Sequence, residues 1–366
     1  MQNKIGILVL LMIWLGSNCL AQSKKLKLAI DGLTHGHVAW VFNHKDTSTF
    51  ELVGIAESNK ELAKSLSDRY GFSMDLVYPS LKELLKKVQP EAVAAFNSTY
   101  EHLNTVQRCA PKGIHVMVEK PLAVNLEHVS EMELLANKHQ IHLITNYETT
   151  WYATHARMFE MVANGKVGKI RKVIVNDGHA GPKEIRVGAE FLDWLVDPKR
   201  NGGGALTDFG CYGANLMLKL TDGEMPQSVY CSVRTYKPET YEKVDDDATL
   251  ILEYPDMQVV IQPSWNWSFS RKDMEVYGDK GYVIARNRSD LSYRLSRKQK
   301  EETITLDELD YPNQNCFDYL KAVVRGEVSV KATDLSSVQN NVKVVRILEA
   351  AKQSAKSGKQ VSLNIE

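Results

Sequence analysis

A lysine followed by a proline, at the end of a predicted buried strand, is the first candidate for chemistry in this 366-residue chain. The apolar residues of His115–Val118 predict a short core strand, which stops at Glu119-Lys120-Pro121. Lysine is rarely buried without a partner, and proline cannot continue a strand ladder. Lys120 is therefore predicted to point into a cleft at the carboxyl end of a parallel sheet, where open α/β folds bind ligands. A surface lysine at a strand–loop junction is the alternative.

A carboxylate and a phenol form the second candidate. Asp208 and Tyr212 follow the run Gly202-Gly203-Gly204 and lie four residues apart, hence on one face if the segment is helical. Groups placed in this way can hold a hydroxyl group and carry its proton. The alternative is that Asp208 caps a helix beginning near Gly210 while Tyr212 packs in the core.

The first predicted strand ends at a turn that suits a dinucleotide. Of a G-x-G-x-x-G pattern at positions 32, 34 and 37, only Gly32 is present, because Thr34 and His37 occupy the other two positions. Glu57 ends the second predicted strand, where an acid accepts hydrogen bonds from an adenosine ribose and repels a 2′-phosphate. This favours NAD over NADP, with a solvated loop residue as the alternative for Glu57.

The elements that position these residues change in kind along the chain. Strand and helix signals alternate over residues 25–147, which predicts a doubly wound parallel sheet. Later strand-like segments of about eight residues, such as Lys169–Asp177 and Ser228–Thr235, predict a mostly antiparallel sheet in an α+β domain. The predicted helices of this second half are Thr154–Asn164, Gly213–Leu220, Phe317–Arg325 and Leu335–Ser357. We place the domain boundaries at 22–147 and 148–366.

The net charge limits the kinds of partner to be expected, and the amino-terminal segment indicates where the protein is located. Lys+Arg and Asp+Glu both total 45, so no net field favours nucleic acid or an anionic membrane. Lys4, an apolar run over Ile5–Leu15 and small residues up to Ala21 predict a signal peptide over residues 1–21, and hence a periplasmic or secreted protein without a transmembrane span in its mature chain. Asn18 makes a poor lipobox before Cys19, so we do not expect a lipoprotein. Beyond the predicted signal peptide the sequence has four scattered cysteines, which indicate no metal site and leave one disulfide open.

Several segments together resemble the glucose-fructose oxidoreductase/inositol dehydrogenase (Gfo/Idh/MocA) family over nearly all of the mature chain, in an exported subgroup. They are Ala56–Asn59, Ala95–His102, Glu119–Ala123, Gly202–Asn215 and Arg346–Gly358. The resemblance implies a Rossmann domain followed by an α/β domain with a large open sheet that often forms an oligomer interface, so we expect a homo-oligomer, a dimer or a tetramer. It also implies a nicotinamide-linked redox reaction at a sugar or polyol carbon.

The same resemblance implies roles for individual residues. Lys120 matches the family's catalytic or substrate-binding lysine, Asp208 matches the acid after the glycines, and Tyr212 stands where many members have histidine. A tyrosine can replace that base if the Lys120 ammonium stabilises its phenolate form. The expected cofactor-binding residues are Gly32, Thr34, His35, Glu57, Asn97, His102, Glu119 and Lys120. The expected substrate-binding residues are Asn146, Glu148, Trp151, Tyr152, His179 and Trp265.

Three functions are compatible with these residues. The first is an exported oxidoreductase that acts on a secondary hydroxyl group of a sugar, polyol or glycoside and recycles a tightly bound NAD, because a periplasm offers little free cofactor. The second is a glycoside-cleaving enzyme that uses NAD transiently through a keto-sugar. The third is a non-catalytic sugar-binding protein on a decayed Rossmann scaffold, motivated by Thr34 and His37.

Overall fold

A six-stranded, wholly parallel sheet forms the first half of the protein in a computed structural model that describes residues 24–363; the predicted signal peptide lies outside these residues. The strand order is β3-β2-β1-β4-β5-β6. The strands are β1 Leu26–Asp31, β2 Phe50–Ala56, β3 Val77–Tyr78, β4 Ala92–Ala95, β5 His115–Glu119 and β6 Leu143–Asn146, and the helices between them are α1 Val38–Phe42, α2 Lys60–Tyr70, α3 Leu81–Lys87, α4 His102–Cys109 and α5 Leu126–His139.

Local chemistry explains these elements. The central strands β1 and β4 are buried at nearly every position because helices cover both faces of a parallel sheet. Asn59 caps α2 by accepting a hydrogen bond from the Leu62 amide, and Gly71 ends the helix in the left-handed region at φ 78°. The order of the strands reverses between β1 and β4, which opens a crevice at their carboxyl ends.

The second sheet has nine strands in the order β14-β13-β12-β11-β7-β10-β9-β8-β15, and all neighbours are antiparallel except β7 and β10. Burial alternates along β9 and β10, as it does in a sheet with one covered face. The strands are β7 Ile170–Gly178, β8 Ser228–Arg234, β9 Asp247–Glu253, β10 Gln258–Ser264, β11 Arg271–Gly278, β12 Tyr282–Ala285, β13 Asp290–Arg294, β14 Glu302–Thr305 and β15 Val361–Ser362, and the helices are α6 Ala153–Ala163, α7 Ala189–Leu195, α8 Ala205–Leu220, α9 Cys316–Val324 and α10 Val338–Ser357. The predicted fold class, a doubly wound parallel sheet followed by an α+β domain, is confirmed.

One predicted helix starts in the wrong place. The sequence predicts it over Gly213–Leu220, whereas α8 begins at Ala205 and contains Gly213 in its interior. A Cβ on Gly213 would lie 2.4 Å from the Ile261 side chain, so this glycine lets α8 pack closely on β10. Asp208 consequently lies within the first turn of α8 and does not cap a helix beginning near Gly210. The helix α7 and the strands β13 to β15 were not predicted.

The end of the chain returns to the first sheet. Phe317 and Leu320 of α9 pack with Leu28 and Ile30 of β1, and α10 packs against the opposite face. The division at residue 147 stays a prediction. The four cysteines of the described region are free and buried. Within residues 24–363, no helix is long and apolar enough to cross a membrane.

Candidate active site and cofactor cleft

Lys120 and Asp208 form a buried ion pair between the two sheets. Lys120 follows β5 directly and is 7% exposed, so it is not a surface lysine. Its Nζ pairs with Oδ1 of Asp208 and also donates to the Asp208 backbone oxygen at 3.2 Å. Trp265 Nε1 donates to the other carboxylate oxygen at 3.0 Å. Because three elements converge here, both charges are satisfied without water.

Pairing decides the protonation of both groups. Burial acts to lower the pKa of Lys120, but the Asp208 carboxylate outweighs it and holds that pKa above the ordinary 10.5. Burial acts to raise the pKa of Asp208, and the Lys120 ammonium reverses this to hold it below the ordinary 3.8. Both groups are therefore charged throughout the neutral range.

Tyr212 lies one turn further along α8, and its ring centroid is 5.4 Å from Lys120 Nζ. The residue is buried, yet no group in the described part of the chain hydrogen-bonds its hydroxyl. Burial raises the pKa of Tyr212 well above 10, and nearby carboxylates such as Glu148 raise it further. The expectation that Lys120 stabilises a phenolate is therefore wrong, because burial and the nearby carboxylates disfavour the charged form of Tyr212. Tyr212 is a neutral phenol and a proton donor.

A second cation, Lys272 of β11, also approaches this ring, with its Nζ 5.2 Å from the Tyr212 centroid. Lys272 forms an ion pair with Glu148, whose Oε1 accepts a hydrogen bond from Tyr152 at 2.6 Å. Sequence reasoning missed Lys272. The available signal was a lysine in phase with the buried residues Met274 and Val276 of the same strand.

Several other residues that the sequence predicts to bind the substrate are held in place by contacts within the protein. Trp265 is fully buried against Asp208, and Trp151 Nε1 donates to Asn146 Oδ1 at 3.0 Å. Asn146 in turn donates to Glu119 Oε1 at 2.7 Å. The His179 ring meets Phe209 edge-on at 5.0 Å, and burial lowers the pKa of His179 to about 4. His179 is therefore neutral.

A group of two histidines and one acid lies beside the pair. His37 Nδ1 is 3.0 Å from Glu119 Oε2, and His35 Nε2 is 4.0 Å from the same oxygen. Burial acts to raise the pKa of Glu119, but the two histidines and the hydrogen bonds lower it to about 2. His35 Nδ1 accepts a hydrogen bond from the His37 backbone amide at 3.1 Å, so the neutral His35 ring carries its proton on Nε2. Because a metal needs a free lone pair on that atom, the group fits a hydrogen-bonded cluster rather than a metal site.

A cavity of about 720 Å³ lies at the carboxyl ends of β1, β2 and β4. Gly32 lines it with φ 84°, and a Cβ on this residue would lie 2.7 Å from Asn97 Cβ. The Asn97 amide nitrogen donates to Asp31 Oδ2 at 3.2 Å, which leaves the buried Asn97 Oδ1 without a partner. Close backbone approach and an orphaned polar atom are features that a bound dinucleotide would use.

Glu57 lines the same cavity. Its two oxygens accept hydrogen bonds from the Leu33 amide at 2.9 Å and the Asn59 amide at 2.8 Å. These bonds fix the carboxylate and leave lone pairs for two ribose hydroxyl groups. The residues present therefore fit an adenosine dinucleotide, which Gly32, Glu57 and Asn97 would hold.

Of the other residues that the sequence predicts to bind the cofactor, only Thr34 lines this cavity. Thr34 lines the cavity and accepts a hydrogen bond from Trp194 Nε1 of α7 at 3.1 Å. His35 packs against Phe191 of α7 and lies outside the cavity, as does the buried His102, whose Nδ1 is 3.2 Å from the Leu122 carbonyl oxygen. Glu119 and Lys120 belong to the buried cluster described above. The unpredicted helix α7 explains the position of His35, because it covers the turn on which this residue lies.

Comparison with known proteins gives several matches. The chain is 24% identical over 236 residues to trans-1,2-dihydrobenzene-1,2-diol dehydrogenase of Xenopus tropicalis, covering 64% of this chain and 66%, just under two thirds, of that protein. It is 24% identical over 251 residues to 1,5-anhydro-D-fructose reductase of Ensifer adhaerens, covering 68% and 72%. An inositol dehydrogenase homolog complexed with NAD+ from Azotobacter vinelandii has the same fold, with a TM-score of 0.79 and 19% identity over 93% of this chain and 98% of that one.

Two family models cover both halves of the protein. The model for an oxidoreductase family with an NAD-binding Rossmann fold matches residues 27–147, and the model for the GFO/IDH/MocA C-terminal domain matches residues 155–284. Together they match more than half of the chain and agree with the two sheets described above. The chain therefore belongs to the Gfo/Idh/MocA family of oxidoreductases.

Proposed function

We propose that this protein is an exported, NAD-dependent oxidoreductase that interconverts a secondary hydroxyl group and a ketone on a neutral sugar, polyol or glycoside. The observation that carries the proposal is the buried Lys120–Asp208 pair beside Tyr212, a phenol with no hydrogen-bond partner in the described region. A hydroxyl group without a partner beside a fixed ammonium group is free to hydrogen-bond the oxygen of a ligand. The sugar reductase and the inositol dehydrogenase homolog among its relatives support this choice of substrate class.

The protonation states give each residue a task. A nicotinamide dinucleotide, which Gly32, Glu57 and Asn97 would hold, would supply the hydride chemistry. In the reducing direction Tyr212 donates its hydroxyl proton to the substrate oxygen, while Lys120 hydrogen-bonds that oxygen and stabilises its negative charge. In the oxidising direction, the substrate hydroxyl returns a proton to the tyrosine oxygen that the preceding reduction has deprotonated. Asp208 keeps Lys120 charged, and Trp265 keeps Asp208 in place.

Cofactor choice and location complete the proposal. Glu57 favours NAD over NADP because a carboxylate repels a 2′-phosphate. The amino-terminal segment suits export, and a periplasm requires the cofactor to be held and recycled between an oxidised and a reduced sugar. The open nine-stranded sheet suits a homo-oligomer.

Native mass spectrometry of the mature protein from a periplasmic extract tests these points together. We expect subunits that carry one NAD(H) each, in a dimer or a tetramer, with an amino terminus at residue 22. Mature protein that carries no nucleotide and binds none in calorimetry would contradict the proposed function.

Product analysis separates this proposal from glycoside cleavage. A stable keto-sugar or its reduced alcohol, formed by the wild type and lost in Lys120→Met, supports the oxidoreductase. Net release of an aglycone without a redox change would instead indicate the glycoside-cleaving enzyme.

A further inference from the structure

The carboxyl group of Asp177, near the end of β7, has no hydrogen-bond partner for either oxygen, although the residue is 0% exposed. Buried carboxyl groups in folded proteins are nearly always hydrogen-bonded or paired, because their desolvation otherwise destabilises the folded state. The other acids of this region follow that rule: Asp208 has Lys120, and Glu148 has Lys272. An orphaned carboxyl group beside them indicates a partner that the protein does not supply.

Asp177 lies on the face of the sheet that carries the candidate active site. It is directly opposite Lys272 in the antiparallel pair of β7 and β11, and opposite residues project to the same face. Val175 of β7 projects to this face too and packs in the core with residues of α8, the helix that supplies Asp208 and Tyr212. The carboxyl group is thus on the same side of the sheet as the Tyr212 ring, which Lys272 also approaches.

The charges around Tyr212 leave Asp177 uncompensated. Lys120 is balanced by Asp208 and Lys272 by Glu148, whereas Asp177 adds a further acid within electrostatic reach of both lysines. Burial raises the pKa of Asp177 well above the ordinary 3.8. Both lysines beside the ring already pair with acids, so an anionic ligand would gain no free cation from them, whereas a neutral hydroxyl group needs none.

We propose that Asp177 is a substrate-binding residue, which hydrogen-bonds hydroxyl groups next to the reacting carbon of a neutral, polyhydroxylated substrate and excludes substrates that carry a carboxylate or a phosphate. This inference rests on the proposed function, since it names the part of the substrate that the same site recognises. Asp177 binds these hydroxyl groups and transfers no proton to the reacting oxygen, which is the task of Tyr212.

The kinetic test uses Asp177→Asn and Asp177→Leu, with 1,5-anhydro-D-fructose and myo-inositol as neutral probes. We expect KM to rise about ten-fold or more and kcat to change far less, because the lost interaction binds substrate and transition state alike. D-glucuronate is the anionic probe, and we expect the wild type to bind it more weakly than the two neutral probes. Asp273→Asn is the matched control: Asp273 is a buried acid on the adjacent strand, but it projects to the other face and is partnered by Asn176 and Arg271.

Thermal melting gives a readout that needs no substrate. Leucine has the branched shape of aspartate, so Asp177→Leu removes two unpartnered oxygens and should keep or raise Tm. Asp273→Leu loses the hydrogen bonds from Asn176 and Arg271 and should lower Tm. A clear fall in Tm for Asp177→Leu would show a structural role and overturn the inference.

The outcomes separate this inference from the proposed function. Wild-type turnover of either probe with an unchanged KM in both Asp177 variants overturns the role of Asp177 and leaves the oxidoreductase in place. A wild type that binds neither probe in calorimetry and binds D-glucuronate overturns the neutral substrate class. A raised KM together with an unchanged or raised Tm supports the inference.

Discussion

Replacing Asp208 with asparagine should lower the free energy of unfolding by about 3–5 kcal/mol, because it leaves Lys120 as an unpaired charge in a buried site. Asparagine has nearly the same shape and still offers an oxygen to Trp265 Nε1, so charge is the main change. The protein can limit the loss by releasing the Lys120 proton. The ordinary pKa of lysine is 10.5, so releasing this proton at about pH 7 costs about 1.4 kcal/mol for each of roughly 3.5 pH units. The deficit is therefore at most about 5 kcal/mol.

The loss should depend on pH with a defined sign. In the wild type, the raised pKa of Lys120 contributes stability below pH 10.5 that is lost above it, and the lowered pKa of Asp208 contributes stability above pH 3.8 that is lost below it. In Asp208→Asn, burial outweighs the remaining attraction of Glu119 and lowers the pKa of Lys120 below that of the unfolded chain. The unfolded state then binds more protons, so the stability of the variant rises with pH and its deficit shrinks between about pH 7 and pH 10.

Urea unfolding followed by tryptophan fluorescence measures both effects. Asp256→Asn is the control, because Asp256 pairs with Lys169 at the surface and its removal should cause no measurable loss. A deficit for Asp208→Asn below about 1 kcal/mol, as expected for an exposed pair, would refute the reasoning. So would a deficit that stays constant as the pH rises.

Three further predictions concern the cofactor cleft and the proton donor. Gly32→Ala should abolish NAD binding in calorimetry, because the new Cβ would lie 2.7 Å from Asn97 Cβ and the backbone has a φ of 84°. Gly71→Ala is the control and should bind NAD normally, because Gly71 has a similar φ of 78° but no atom within 4 Å of the new Cβ. Tyr212→Phe should lower kcat by about 10²–10⁴-fold with an unchanged Tm, since its hydroxyl has no partner to lose in the described structure; near-normal kcat would remove Tyr212 from the mechanism. Glu57→Gln should weaken NAD binding and reduce the preference for NAD over NADP, measured in competition titrations as the ratio of the two dissociation constants. An unchanged ratio would show that Glu57 does not select the cofactor.

Local patterns in the sequence were enough for the fold class and for three residues of the candidate site. Apolar runs and their spacing predict strands and helices because backbone geometry sets periods of two and of about 3.6 residues. The Glu-Lys-Pro step and the four-residue spacing of Asp208 and Tyr212 are also local, so they could be read directly. The start of α8 was misplaced because its glycines are needed for packing on β10, a contact that no local pattern reports.

The protonation states of the site residues, by contrast, depend on the tertiary structure alone. Lys120 and Asp208 are 88 residues apart, and their protonation depends on burial and on Trp265, which comes from a third element. The sequence therefore suggested a phenolate at Tyr212, whereas burial makes it a neutral phenol. The local sequence gives no sign that Lys272 and Asp177 belong to the site. Only the pairing of β7 with β11 brings them together beside the Tyr212 ring. Residue type and spacing determine which groups the chain can offer, but their charges depend on neighbours and on solvent, which exist only once the chain has folded.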